Sequence, residues 1–130
     1  MARILVVEDD KDLNNAYCLI LNSEGHKVET AFNGQEALKK VEKFKPDLIL
    51  LDLLMPIMGG LEFLQRYDLT KIHPKVKVLI FTNMENSPEV TVAYKLGAHR
   101  IIIKSWTAPH NLARVIEEAL KSKPAAKTTA

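Results

Sequence analysis

Cysteine is nearly missing from the chain. Cys18 is the only one in 130 residues, which excludes an internal disulfide, and its place on an apolar helical stripe points to packing rather than thiol chemistry. Long apolar runs are missing too. The longest, such as Leu48 to Leu51 and Ile101 to Ile103, fall far short of the roughly 20 residues that cross a bilayer, so no membrane span is expected. After Arg3 and Ile4 to Val7 come acids, where a signal peptide would continue apolar toward a small-residue cleavage site. No export signal is read there, and a reducing cytoplasm is the expected location. One-signed charge is also scarce: 18 basic residues are scattered among 16 acidic ones, for a net charge of +2. Without a basic stripe, direct nucleic-acid binding is not expected.

What is present suits one folded domain. Hydrophobic residues make up 47% and charged residues 26%, an ordinary balance for a packed core. Apolar runs recur at Ile4 to Val7, Val28 to Ala31, Leu48 to Leu51, Val76 to Phe81 and Arg100 to Ile103, each followed by helical periodicity. Leu13, Ala16, Tyr17, Ile20 and Leu21 keep i, i+3, i+4 spacing on a helix over about Lys11 to Glu24, which Gly25 stops. Asn33 reads as the cap of a second helix ended by Pro46, and Leu61, Phe63 and Leu64 begin a third. Ser87-Pro88 opens a fourth that Gly97 closes, and a fifth starts near Thr107 to Pro109. Runs apolar at nearly every position indicate strands covered on both faces, so the expected fold is a doubly wound parallel α/β sheet. The domain is expected over residues 1–121, with 122–130 as a flexible tail or linker.

In such sheets ligands bind at the carboxyl ends of the strands. The first strand ends in Glu8, Asp9 and Asp10, the third in Asp52, the fourth in Thr82 and the fifth in Lys104. The second ends in Ala31 and Phe32 with nothing reactive, as expected at a sheet edge. Gathered carboxylates repel, and with no thiolate or histidine beside them Mg2+ is the natural compensation. Lys104 and Thr82 add an ammonium and a hydroxyl suited to a tetrahedral oxyanion. With its charge screened, Asp52 can act as a nucleophile toward phosphorus and form an acyl phosphate.

Together Val6-Val7-Glu8-Asp9-Asp10, Leu50-Leu51-Asp52-Leu53-Leu54-Met55-Pro56, Phe81-Thr82 and Ile103-Lys104 resemble the motifs of bacterial response-regulator receiver domains, over about residues 3–121. The resemblance implies a flavodoxin-like sheet in the order 2-1-3-4-5 with five helices, the order known for the chemotaxis member of that family. It implies that Asp52 is the phosphoacceptor and that Thr82 and Lys104 bind phosphoryl oxygens. Asp9 would ligate Mg2+ directly, with Asp52 and the Leu54 backbone carbonyl, while Glu8 acts through water. The donor would be a sensor histidine kinase or a histidine phosphotransfer protein. The implied role is a phosphorelay switch, not a conventional enzyme: the surface of helix four, strand five and helix five changes for an unknown output partner. A monomer or a phosphorylation-dependent dimer is implied, and the chain is either a stand-alone receiver or a piece of a larger protein.

Some positions depart from the family pattern. Asn83 follows Thr82 where a small residue is usual. Ile101 stands where a Tyr or Phe commonly couples to the threonine, and Trp106 is the aromatic nearby in sequence, though at a helix start its ordinary role is packing. Ser105 follows Lys104 where a cis-proline is usual, and a cis bond before serine costs about 3 kcal/mol, so a trans bond with a shifted Lys104 is expected. Leu54 and Met84 are apolar at positions the resemblance ties to phosphoryl lifetime, which implies slow self-dephosphorylation. These departures keep an alternative in view, an interaction module whose output does not depend on phosphate.

Other features take plainer readings. Asp10 or Asp12 is expected to complement a helix dipole, and Met55-Pro56 with Gly59-Gly60 is a turn whose glycines tolerate unusual backbone angles. His26, His73, His99 and His110 share no metal-ligand spacing and are expected to be solvated. An aspartyl-phosphate phosphatase would need a second Asp where Leu54 stands, and a nucleotide-binding enzyme a glycine-rich first turn where Glu8-Asp9-Asp10 stands.

Overall fold

The computed structural model describes residues 2–68, 75–83 and 87–121. The residues called a tail, and also His73 and Met84, lie outside this set. Five strands, β1 (Arg3–Val7), β2 (Lys27–Ala31), β3 (Leu48–Leu51), β4 (Lys77–Thr82) and β5 (Arg100–Ile103), form one parallel sheet in the order β2-β1-β3-β4-β5. The helices between and after them are α1 (Lys11–Ser23), α2 (Gly34–Phe44), α3 (Gly60–Tyr67), α4 (Pro88–Lys95) and α5 (Pro109–Lys121). No described helix is long and apolar enough to cross a membrane.

Alternation along the strands feeds two cores. Leu5, Val7, Ile49, Leu51, Val78 and Ile80 pack with residues of α2, α3 and α4 such as Val41, Phe63 and Ala93. Ile4, Val6, Leu48, Leu50, Leu79 and Phe81 pack with Tyr17, Leu21, Leu112 and Ile116 of α1 and α5. Each fully buried Leu or Ile of this kind contributes about 1.5–3 kcal/mol. β2 departs from the expected two-sided cover: Lys27 and Glu29 are exposed, because at the margin of the sheet the helices cover it only in part.

Local signals set the element ends. The Asn33 side chain accepts the Glu36 N–H at 2.9 Å and Ser87 that of Val90 at 3.3 Å, capping α2 and α4. Gly25 and Gly97 take φ of 90° and 107° after α1 and α4, a conformation open to glycine at little cost. Cys18 is buried, with its Sγ 3.4 Å from Asn14 Oδ1. Two readings need correction. Gly59 and Gly60 do not take positive φ; the left-handed residue of that loop is Ile57, at φ 70°. What Gly60 supplies is room, since a Cβ there would stand 2.5 Å from the Asp52 carbonyl oxygen. Nor is His26 solvated: it is 5% exposed, its Nδ1 accepts the Ala2 N–H at 3.1 Å, and its Nε2 faces Glu117 Oε2 at 3.2 Å, off the line a hydrogen bond requires. The short turn before β2 folds the ring under α5 rather than into solvent.

Candidate functional site

Register brings the site together. Val7 lies opposite Leu51, so the residue that follows each, Glu8 and Asp52, leaves the sheet at the same edge. The Asp52 N–H donates to the Val7 carbonyl and the Glu8 N–H to that of Ala31, both at 3.1 Å, which extends the backbone ladder past the strands and fixes both carboxylate-bearing residues. Leu51 also pairs with Ile80, so Thr82 stands two residues farther along β4, buried at 1% exposure.

Beyond Glu8 the chain turns because Asp10 caps α1, its side chain accepting the Leu13 N–H at 3.1 Å. The Asp10 N–H in turn donates to Glu8 Oε2 at 3.0 Å. Asn14, in the first turns of α1, donates Nδ2 to the carbonyls of Glu8 at 2.9 Å and Ala31 at 3.2 Å, which stitches the ends of β1 and β2 together. Sequence reasoning missed this residue. The available signal was its position, four before Cys18 and seven before Leu21, a polar side chain on the buried stripe itself.

Glu8, Asp9 and Asp52 offer carboxylate oxygens within 4.8 Å of one another. Glu8 and Asp52 are buried and Asp9 is exposed, so the cluster opens to solvent on one side. The Lys104 ammonium reaches across from the end of β5, donating to Glu8 Oε1 at 2.5 Å and Asp52 Oδ2 at 2.9 Å. Three carboxylates against one ammonium leave an excess of negative charge, and the donors are all hard oxygens, a set suited to Mg2+.

Burial pushes the Glu8 carboxyl above its ordinary range and neighbouring Asp52 adds to the rise, against the bonds from Lys104 and the Asp10 N–H. Burial works to lower the Lys104 ammonium, but its bonds to Glu8 and Asp52 outweigh that and hold it above its ordinary value. Lys104 is therefore charged. Beneath the site, Tyr17 is pushed up to about 12, chiefly by burial, with its ring 5.1 Å from that of Phe81.

The remaining predicted residues are placed as follows. The Leu54 N–H points at Asp52 Oδ1 at 3.4 Å while its side chain is 63% exposed. Ile101 is half-buried and packs against the core on the α2, α3 and α4 side. Trp106 lies in the short 3-10 turn Lys104–Trp106. Among the described residues no peptide bond is cis, so Lys104–Ser105 is trans as expected, and in that geometry the ammonium still reaches Asp52.

Known proteins resemble this chain in sequence and fold. The family model for the response regulator receiver domain matches residues 4–117. The chain is 32% identical over 116 residues to the chemotaxis protein CheY of Thermotoga maritima, covering 88% of this chain and 92% of that one. It is 33% identical over 104 residues to the transcriptional regulatory protein AfsQ1 of Streptomyces coelicolor, covering 80% of this chain but 45% of AfsQ1, so it spans under half of that regulator. Among solved structures, the CheY-like receiver domain protein of Methanospirillum hungatei JF-1 superposes with a TM-score of 0.84 at 32% identity, covering 92% of this chain and 94% of the other.

Proposed function

The chain belongs to the response regulator receiver domain family, and on that premise we propose that Asp52 accepts a phosphoryl group from a phosphohistidine on a sensor histidine kinase or histidine phosphotransfer protein. The observation that carries this reading is Lys104 bridging Glu8 and Asp52 beside Asp9.

An Asp52 carboxylate oxygen forms the new bond to phosphorus as the phosphorus–nitrogen bond of the donor breaks. The electron pair of that bond stays on the imidazole, which leaves as a neutral ring when its other nitrogen carries a proton. Lys104 follows the charge, exchanging an Asp52 oxygen for a phosphoryl oxygen, and the Thr82 hydroxyl donates to another. Asp9, Asp52 and the Leu54 carbonyl would hold Mg2+ directly and Glu8 through water. Bound there, Mg2+ supplies neutralisation of the carboxylate and phosphoryl charge. Leu54 offers no polar side-chain atom to orient an attacking water, which supports a long-lived acyl phosphate. The output is a changed α4, β5 and α5 surface, read by a partner or by a second copy of the chain in a phosphorylation-dependent dimer.

Incubation with a small phosphodonor and Mg2+, followed by intact-mass measurement, tests the reading. The wild-type chain gains one phosphoryl group and Asp52→Asn gains none. A wild type that gains no mass is an interaction module of receiver fold, the reading that Ile101, without ring or hydroxyl, would favour.

A further inference from the structure

The β4·β5 ladder ends with Thr82 opposite Ile103. Among the described residues the paired register runs no farther, yet these strand ends carry Thr82 and Lys104. The Asn83 side chain takes over: its Oδ1 accepts the Ser105 backbone N–H at 2.9 Å. This bond depends on both residues. A proline at 105 would have no N–H to donate, and a small apolar residue at 83 would have no acceptor to offer. Two positions that depart separately from the usual receiver pattern are thus partners in one contact. The Thr107 N–H, bonded to the Lys104 carbonyl at 3.2 Å, closes the turn on the other side.

Lysine needs such help. Its ammonium sits on a flexible four-carbon stem, so where the charge lies depends on how firmly its backbone is held, and misplacing a reacting group by about 1 Å can cost a hundredfold in rate. We propose that Asn83 is a positioning residue for Lys104: the Asn83–Ser105 bond fixes the backbone carrying Lys104 to the strand end carrying Thr82. The two groups that grip phosphoryl oxygens then keep one spacing. The inference rests on the phosphoacceptor reading of Asp52. Asn83 itself touches no reacting atom in this arrangement.

The test compares wild type, Asn83→Ala, Ser105→Pro and the double variant for phosphorylation by a small phosphodonor and for Mg2+ affinity. NMR exchange of the position-105 amide and the Lys104 ammonium signal are read in parallel, except that Ser105→Pro has no such amide. Asn83→Ala is expected to phosphorylate about fivefold to tenfold more slowly with Mg2+ affinity within about twofold of wild type, since Glu8, Asp9 and Asp52 are untouched. The double variant is no slower than the slower single. Amide exchange at 105 quickens in Asn83→Ala and is slow again in Asn83→Asp, which keeps the acceptor. Phosphorylation of Asn83→Ala at or above the wild-type rate overturns the proposal, because Asn83 then merely obstructs the site. Losses that add in the double variant overturn it as well. A wild-type chain that takes no phosphoryl group sinks the reading of Asp52 instead, and the amide and ammonium signals still decide the clamp: a Lys104 signal unchanged by Asn83→Ala counts against it.

Discussion

Lys104 Nζ lies 2.5 Å from Glu8 Oε1 and 2.9 Å from Asp52 Oδ2, so one ammonium joins carboxylates carried past the ends of two neighbouring strands. Without a divalent cation this contact is the main counterweight to three gathered carboxylates. Lys104→Met is therefore expected to lower stability in urea by about 1–3 kcal/mol, below the roughly 3–5 of a fully buried pair because the cluster opens to solvent. Saturating Mg2+ narrows the difference, as measured by paired unfolding curves.

If Mg2+ binds the cluster as proposed, it is expected to stabilise the wild-type fold by mass action, by about 1.4 kcal/mol at ten times its dissociation constant. Asp9 is the exposed member of the cluster, so Asp9→Asn leaves metal-free stability within about 0.5 kcal/mol of wild type. Most of the gain with Mg2+ is lost in that variant, as thermal melts with and without the ion would register.

Ile57 holds φ 70° while 77% exposed, a conformation that costs a branched L-residue roughly 1–2 kcal/mol. Asparagine tolerates it better. Ile57→Asn is expected to raise the melting temperature by about 3–5 °C, corresponding to about 1 kcal/mol, in a calorimetric scan.

Gly60 has the opposite expectation. Its added Cβ would meet the Asp52 carbonyl oxygen at 2.5 Å, backbone against backbone with no flexible side chain to yield. Gly60→Ala should cost about 2 kcal/mol or more and, by moving the Asp52 backbone, slow phosphorylation as well. Denaturant curves and mass-resolved kinetics read the two effects separately.

His99, expected to be solvated, is instead half-buried, and burial first, then Lys77 and Arg100, holds it below its ordinary value of 6.5. The fold prefers the neutral ring, whereas the unfolded chain takes up a proton at the ordinary pKa. The contribution of His99 to stability is thus complete above that pH and is lost as pH falls through it toward the depressed folded value. His99→Gln is expected to flatten the fall in stability between about pH 7 and pH 5, followed by denaturant midpoints across that range.

The strand ends were legible because chemistry and topology coincide there. Buried parallel strands read as unbroken apolar runs, and Glu8, Asp9, Asp52, Thr82 and Lys104 break those runs at their carboxyl ends, so placing the strands placed the pocket. Residues acting through the backbone were harder to see. Asn14 bonds two carbonyls whose proximity depends on β1 pairing with β2, and nothing local to Asn14 records that pairing. His26 shows the same limit, since the ring faces Glu117 of α5, far along the chain. Gly60 was read for conformational freedom, but the demand on it is space beside Asp52, a tertiary fact. Ile57 defeated propensity altogether, because few would assign a left-handed backbone to a branched residue with glycines close by.

β4 carries Thr82 at one end and Lys77 at the other, and Lys77 Nζ donates to the carbonyls of Ala119 and Leu120 in the last turn of α5, both at 2.8 Å. The five residue steps between them span about 16 Å, roughly twice the distance over which physiological salt screens exposed charge. The part of any charge arriving beside Thr82 that acts through solvent is therefore faint where α5 ends. β4 links the Thr82 end of the sheet directly to the last turn of α5, so a shift of that strand would be expected to register at both.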